Sequence, residues 1–170
     1  IRHAVEHGCR ELIIGLGGSC TNDGGTGMAA ALGVQFLDGG GKAFIPAGGT
    51  LSQIKAIDAG GAKELLKGCK ITAMCDIDNP MFGKTGAAYI FGPQKGADAG
   101  MVELLDANLR ALSQQITKDL GMDVSQLPGA GAAGAMGAGI AAFLGGELKA
   151  GIQTVLDLVG FEDILKGTDL

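Results

Sequence analysis

The sequence predicts an α/β domain with a mixed sheet and flanking helices. Short apolar runs of strand length, such as Glu11 to Gly15 and Lys70 to Cys75, alternate with segments at helical spacing. These runs stop at glycine-rich loops. One pair, Val34 to Leu37 and Ala43 to Ile45, is joined by Asp38-Gly39-Gly40-Gly41, a hairpin signal that breaks strict strand–helix alternation.

Each element has its own local reason. Arg2 to Gly8 reads as the end of a helix, with Gly8 as its terminating residue. The Glu11 to Gly15 strand feeds the loop Gly17-Gly18-Ser19-Cys20-Thr21-Asn22-Asp23, and a helix of small residues follows from about Gly25 to Leu32. After the hairpin come a strand at Ile54 to Asp58, a short helix at Ala62 to Cys69 and the strand Lys70 to Cys75. Asp76 to Gly96 is a second dense loop region with a short helix near Thr85 to Phe91. Met101, Leu104, Leu105, Leu109, Leu112 and Ile116 recur at helical spacing, so the longest helix runs from about Ala99 to Leu120. Asp98 is its expected N-cap, and Gly121-Met122-Asp123 ends it. Pro128 to Gly131 forms a third glycine loop and opens onto a helix over Ala132 to Leu144. A strand near Lys149 to Ile152 and a helix at Thr154 to Val159 close the chain.

Composition narrows the partners. Hydrophobic residues at 46% against charged residues at 18% allow a packed core, and 4% aromatics make it a core of Leu, Ile, Val and Ala. The 32 glycines follow no Gly-X-Y period, which excludes collagen. With net charge −5 and no basic stripe, nucleic acid and anionic membrane are not expected partners. Cys9, Cys20, Cys69 and Cys75 form no C-x-x-C pair and are expected to be reduced thiols of a cytoplasmic protein. Leu127 to Gly146 is uncharged and long enough to suggest a membrane span, but its Gly and Ala content fits a closely packed internal helix. No signal peptide is visible, and Ile1 falls inside a helical pattern, so the true start is expected upstream.

Three near-matches to known motifs lose to simpler readings. Gly83-Lys84-Thr85 lacks the P-loop glycine five residues earlier, where Asp78 stands. Gly129 to Gly134 fits G-x-G-x-x-G, but no strand leads into it. His3-Ala4-Val5-Glu6-His7 matches an inverted zinc-peptidase motif, yet polar residues on one helix face explain it.

Three loop clusters remain: Gly17 to Gly25, Asp76 to Gly96, and Pro128 to Gly139. If the strands before the first two are parallel neighbours, both loops leave the same sheet edge, where open α/β sheets bind ligands. Carboxylates, a lysine and exposed backbone N–H groups at one edge suit phosphoryl transfer. The same residues are equally accounted for by glycine turns and by Asp76 capping a helix.

Together the clusters resemble the bacterial glycerate kinase family, which phosphorylates D-glycerate with ATP. The phrases that carry the resemblance are GGSCTNDGGTGMAAALGV (17–34), CDIDNPMFGKTGA (75–87), FGPQKGA (91–97) and PGAGAAGAMGAGIAAFL (128–144). A small departure is Met81-Phe82, where the family has Leu-Thr. The resemblance implies that residues 1–170 form one domain, the smaller inserted domain of a two-domain glycerate kinase fold. Both ends would continue into a missing doubly wound domain of the same chain. It implies D-glycerate and ATP as small-molecule substrates, Mg²⁺ as cofactor and a site between the two domains. This chain alone is then expected to be inactive. The alternative is a carboxylate-binding or purely structural module without catalysis.

On that resemblance, Gly17, Gly18, Ser19 and Thr21 are expected to hold an anionic group, glycerate carboxylate or phosphate, with Asn22, Asn79, Gln94 and Gly131 also lining the binding site. Asp23 and Asp76 are the candidate base and Mg²⁺ ligand, with Asp76 the one expected to meet the metal. Lys95 is expected to offset charge on the transferring phosphoryl group. Asp23 bracing its own loop through an Asx-turn, and Lys95 lying on the surface, are the competing readings.

Overall fold

A computed structural model describes residues 1–166 and 168. Along the chain run α1 (Arg2–Glu6), β1 (Glu11–Gly15), α2 (Thr26–Ala31), β2 (Gln35–Leu37), β3 (Ala43–Phe44), β4 (Ala56–Asp58), α3 (Gly60–Leu65) and β5 (Lys70–Met74). Then follow α4 (Ala87–Phe91), α5 (Ala99–Leu120), α6 (Ala132–Leu144), β6 (Glu147–Lys149), α7 (Gly151–Val159) and α8 (Phe161–Leu165). Two 3₁₀ turns, Gly48–Gln53 and Pro93–Lys95, lie in stretches where the sequence pattern suggested only loop.

The α/β class stands, with the two kinds of strand pairing divided between two sheets. β1, β5 and β6 form a parallel sheet with β5 in the centre, while β2 pairs antiparallel with both β3 and β4. The division follows connection length. The tight hairpin makes β2 and β3 antiparallel, while β3 and β4, joined through the Gly48–Gln53 turn, run the same way on either side of β2, and the parallel strands β1, β5 and β6 are joined by long crossovers. The last strand lies two residues or more before its expected place, at Glu147–Lys149. Gly151 cannot extend it, because its N–H donates to Asp76 Oδ1 at 2.7 Å and the chain turns into α7 there.

Asp98 caps α5, its Oδ1 accepting from the Met101 N–H at 2.8 Å, and Gly121 ends the helix in the left-handed region. Leu109, Leu112 and Ile116 are fully buried, but Met101 and Leu104 stay more than half exposed. The apolar stripe therefore outruns the core at its N-terminal end. Phe36 meets Phe143 edge to face with ring centroids 5.5 Å apart, joining the antiparallel sheet to α6. A second cluster, Val5, Leu66, Ile71, Ala73 and Ile140, packs between the parallel sheet and α6. The uncharged α6 is buried along most of its length. Among the described residues no helix is long and apolar enough to cross a membrane.

The parallel β1–β5 pair runs in register from Glu11 opposite Lys70 to Gly15 opposite Met74. It therefore delivers the Gly17 loop and the Asp76 loop to one edge of the sheet, the arrangement the shared-edge argument required.

Candidate active site

Two cavities meet at Lys95. The smaller, about 240 Å³, is bordered by Gly17, Gly18, Ser19, Asp76, Gln94, Lys95 and Ala133. The larger, about 410 Å³, is bordered by Thr21, Asn22, Asp23, Gly48, Gly49, Lys95, Met101 and Leu105. The Lys95 ammonium stands between them, donating to Ser19 Oγ at 2.9 Å and to the Thr21 carbonyl at 2.6 Å. It comes from the 3₁₀ turn Pro93–Lys95, which Gly96 ends with φ +91°. Burial pushes the ammonium below its usual pKa, and the nearby Cys20 and Asp23 partly oppose that shift.

The two carboxylates are held differently. Asp23 Oδ1 accepts from the Gly25 N–H at 3.0 Å and Oδ2 from the Gly27 N–H at 3.1 Å, so the side chain braces the entry to α2. Asp76, at the C-terminal end of β5, is exposed. Its Oδ1 accepts from Gly151 N–H, which ties the Asp76 loop to the start of α7.

The remaining expected site residues divide. Gly17, Gly18, Ser19 and Gln94 share the smaller cavity with Asp76, while Thr21 and Asn22 line the larger with Asp23. Asn79 and Gly131 line neither cavity. Asn79 Nδ2 donates to the Thr85 carbonyl at 2.8 Å, and the Asn79 carbonyl accepts from Gly131 N–H at 2.9 Å. A Cβ on Gly131 would collide with the Pro80 and Asn79 carbonyl oxygens. These two residues fasten the third loop to the second.

The third cluster reaches the site through residues the sequence did not single out. Ala133, Gly134 and Ala135 all have positive φ, 52°, 70° and 67°, giving a left-handed turn at the start of α6. Ala133 borders the smaller cavity. Gly134 accepts from Gly24 N–H at 3.0 Å, and a Cβ on it would collide with the Thr21 carbonyl. Alanine adopts this region at a cost, so the turn is held by its surroundings. The sequence reads as a closely packed helix from Ala132, and nothing in two alanines announces left-handed geometry.

The P-loop-like and zinc-peptidase-like motifs sit apart from these two cavities. Lys84 lies over the Tyr89 ring, 4.1 Å from its centroid, and Gly83 N–H donates to Asp106 Oδ1. His7 Nδ1 lies 2.8 Å from the His3 carbonyl on an exposed helix. Among the described residues no group of three or more His, Cys, Asp and Glu side chains gathers as a metal cage.

The Glycerate kinase family model matches residues 1–170. The chain is 49% identical over 170 residues to a glycerate kinase of Bacillus cereus, covering all of this chain and 45% of that protein. It is 48% identical over 163 residues to a glycerate 2-kinase of Escherichia coli, covering 96% and 43%. It superposes with a TM-score of 0.93 on the crystal structure of a "putative glycerate kinase 2" from Salmonella typhimurium LT2, at 45% identity, covering 96% of this chain and 44% of that one. The chain thus spans under half the length of these relatives. The loops that meet at Lys95 hold the phrases 17–34, 75–87, 91–97 and 128–144, and the match extends across every element around them: the chain belongs to the glycerate kinase family.

Proposed function

We propose that this chain supplies one wall of an interdomain site that transfers the γ-phosphoryl group of ATP to a hydroxyl of D-glycerate. The observation that carries this reading is the Lys95 ammonium on the shared wall of two cavities, bonded to Ser19 and to the Thr21 carbonyl. A two-substrate transfer needs two adjoining sites with positive charge where they join. Relatives of more than twice the length support a second wall from the same polypeptide.

Each residue has a part in the reaction. The Gly17-Gly18 backbone, Ser19 and Gln94 hold the small acid. Its hydroxyl oxygen attacks the γ-phosphorus as the bond to the ADP oxygen breaks. Lys95 offsets the charge spread over the transferring group. Asp76 is the carboxylate placed to take the hydroxyl proton, because one of its oxygens is free of the Gly151 amide bond. Asp23 braces the Gly25–Gly27 backbone at the entry to α2 through its two amide bonds.

The donor set fits Mg²⁺ as nucleotides carry it, through one or two carboxylates and the phosphates rather than a protein cage. With Asp76 keeping its free oxygen for the proton, the exposed Asp78 two residues on would hold the ion, which when bound would neutralise phosphate charge. The relative named glycerate 2-kinase favours the 2-hydroxyl as the acceptor.

The test is phosphorylation of D-glycerate by ATP in the full-length polypeptide carrying residues 1–170, beside the chain alone. Turnover by the former only is expected. Product that enolase consumes without added mutase is the 2-phosphate. Turnover by the chain alone would defeat the one-wall reading.

A second reading has its own support: Asp23 and Asp76 both make hydrogen bonds that are structural. Saturable D-glycerate binding with no ATP hydrolysis in the full-length polypeptide would establish a carboxylate-binding module instead.

A further inference from the structure

The larger cavity holds a polar group with no partner. Asn22 Nδ2 is buried and makes no hydrogen bond, the sole such side-chain atom among the described residues. Buried amide donors are almost always paired, and an orphan bordering a cavity marks where a ligand acceptor fits. Part of the wall around it is apolar or bare backbone, and Thr21, Asp23 and Lys95 supply the polar remainder. Gly48 and Gly49 offer bare backbone, and Gly49 faces open space. A Cβ on Gly48 would press against the Asn22 carbonyl and Leu105 Cδ2, so glycine there lets Asn22 and Leu105 pack close to this loop. Met101 and Leu105 contribute the facing side chains from α5, and Met101 is 53% exposed. This accounts for the N-terminal end of the α5 stripe, which the core does not cover.

Such a slot suits a purine. Met101 and Leu105 offer an apolar surface, a thioether packs well on an aromatic ring, and a carboxamide pairs with the adenine N6/N7 edge. Glycerate fits poorly: three carbons bearing hydroxyls and a carboxylate have no apolar face to cover Met101 and Leu105. The smaller cavity, with Ser19, Gln94 and Lys95, offers hydrogen-bonding groups for that acid.

We infer that the larger cavity is the nucleoside subsite of the kinase proposed above, with Asn22 recognising the base and the smaller cavity taking the acid. The inference rests on that kinase reading for its second substrate. Lys95 then lies where the phosphates cross from one cavity to the other, which agrees with its hydrogen bonds to Ser19 on one side and to the Thr21 carbonyl on the other.

The experiment is steady-state kinetics of the full-length polypeptide with both substrates varied, and with GTP in place of ATP. Asn22→Ala raises KM for ATP about tenfold, the loss of roughly one hydrogen bond, and narrows the preference for ATP over GTP. KM for D-glycerate stays within about twofold, as expected for an untouched second site. Ser19→Ala produces the opposite split. Met101→Ala, at an exposed position, raises KM for ATP about threefold at unchanged Tm, which keeps the test valid if the Asn22 variant folds poorly. An unchanged KM for ATP in Asn22→Ala and Met101→Ala, or a rise confined to D-glycerate, overturns the inference. If wild-type protein shows no phosphotransfer, the kinase reading fails by itself. Calorimetry with ADP alone then decides the subsite: binding weakened about tenfold by Asn22→Ala supports it, and binding indifferent to the change, or absent in wild type, overturns it.

Discussion

Lys95 Nζ lies 2.9 Å from Ser19 Oγ across 76 residues of sequence, and the same ammonium reaches the Thr21 carbonyl. One side chain thereby ties the first glycine loop to the second. If it also neutralises the transferring phosphoryl group, Lys95→Ala lowers kcat by about a hundredfold or more in the full-length enzyme. A rise in KM with unchanged kcat would assign Lys95 to ground-state binding instead.

The ammonium's environment makes a pH prediction. Burial holds its folded-state pKa below the usual 10.5. Between the folded and unfolded values the unfolded chain carries more protons, so Lys95 makes stability rise with pH there. Below the folded value its destabilising contribution is constant. Denaturant titrations of wild type and Lys95→Met therefore differ in slope only on the alkaline side, where wild type gains relative to the variant. The alkaline limb of kcat/KM falls below 10.5 for the same reason.

Asp23→Asn separates a brace from a base. The amide keeps one acceptor but turns a donor toward the Gly25 or Gly27 N–H, breaking one of two bonds. A loss of about 1 kcal/mol in stability is expected from one hydrogen bond, together with a raised KM. A fall in kcat of about a hundredfold at unchanged Tm would make Asp23 the general base.

Gly151→Ala probes Asp76 without touching it. A Cβ on residue 151 would lie 2.9 Å from Asp76 Oδ2 and 3.2 Å from Oδ1. The carboxylate has to shift, and the Gly151 N–H bond is strained with it. The expected outcome is a kcat loss approaching that of Asp76→Ala, with a stability cost of about 1 kcal/mol from the weakened cap. Wild-type kinetics in Gly151→Ala would show that Asp76's position is irrelevant to turnover.

The left-handed turn predicts opposite effects at neighbouring positions. Gly134→Ala brings a Cβ against the Thr21 carbonyl at φ +70° and costs more than about 2 kcal/mol. Ala133→Gly relaxes a residue at φ 52° and raises stability by about 0.5–1 kcal/mol. Thermal unfolding of the two variants reads both signs.

Much of the scaffold was legible because its signals are local. Asp98 capping α5, the hairpin at Asp38 to Gly41 and the strand Glu11–Gly15 each depend on a few adjacent residues. The phrases around Ser19, Asp76 and Lys95 were equally plain, and parallel strands brought the first two to one edge. The assignments at Asn79 and Gly131 were less so. They stand in two different loops beside the site, and only their mutual hydrogen bond shows that they hold these loops together.

The sequence by itself determined most of the helices and strands, the three loops and the family, because propensity, capping and contiguous motif phrases are written in neighbouring residues. Tertiary structure decided which loop residues meet. It placed Lys95 between two cavities, engaged Asp23 in its own loop and left Asn22 without a partner. Those outcomes depend on contacts between residues distant in sequence, and on backbone strain at Ala133 and Ala135 that surrounding packing sustains against their intrinsic preference.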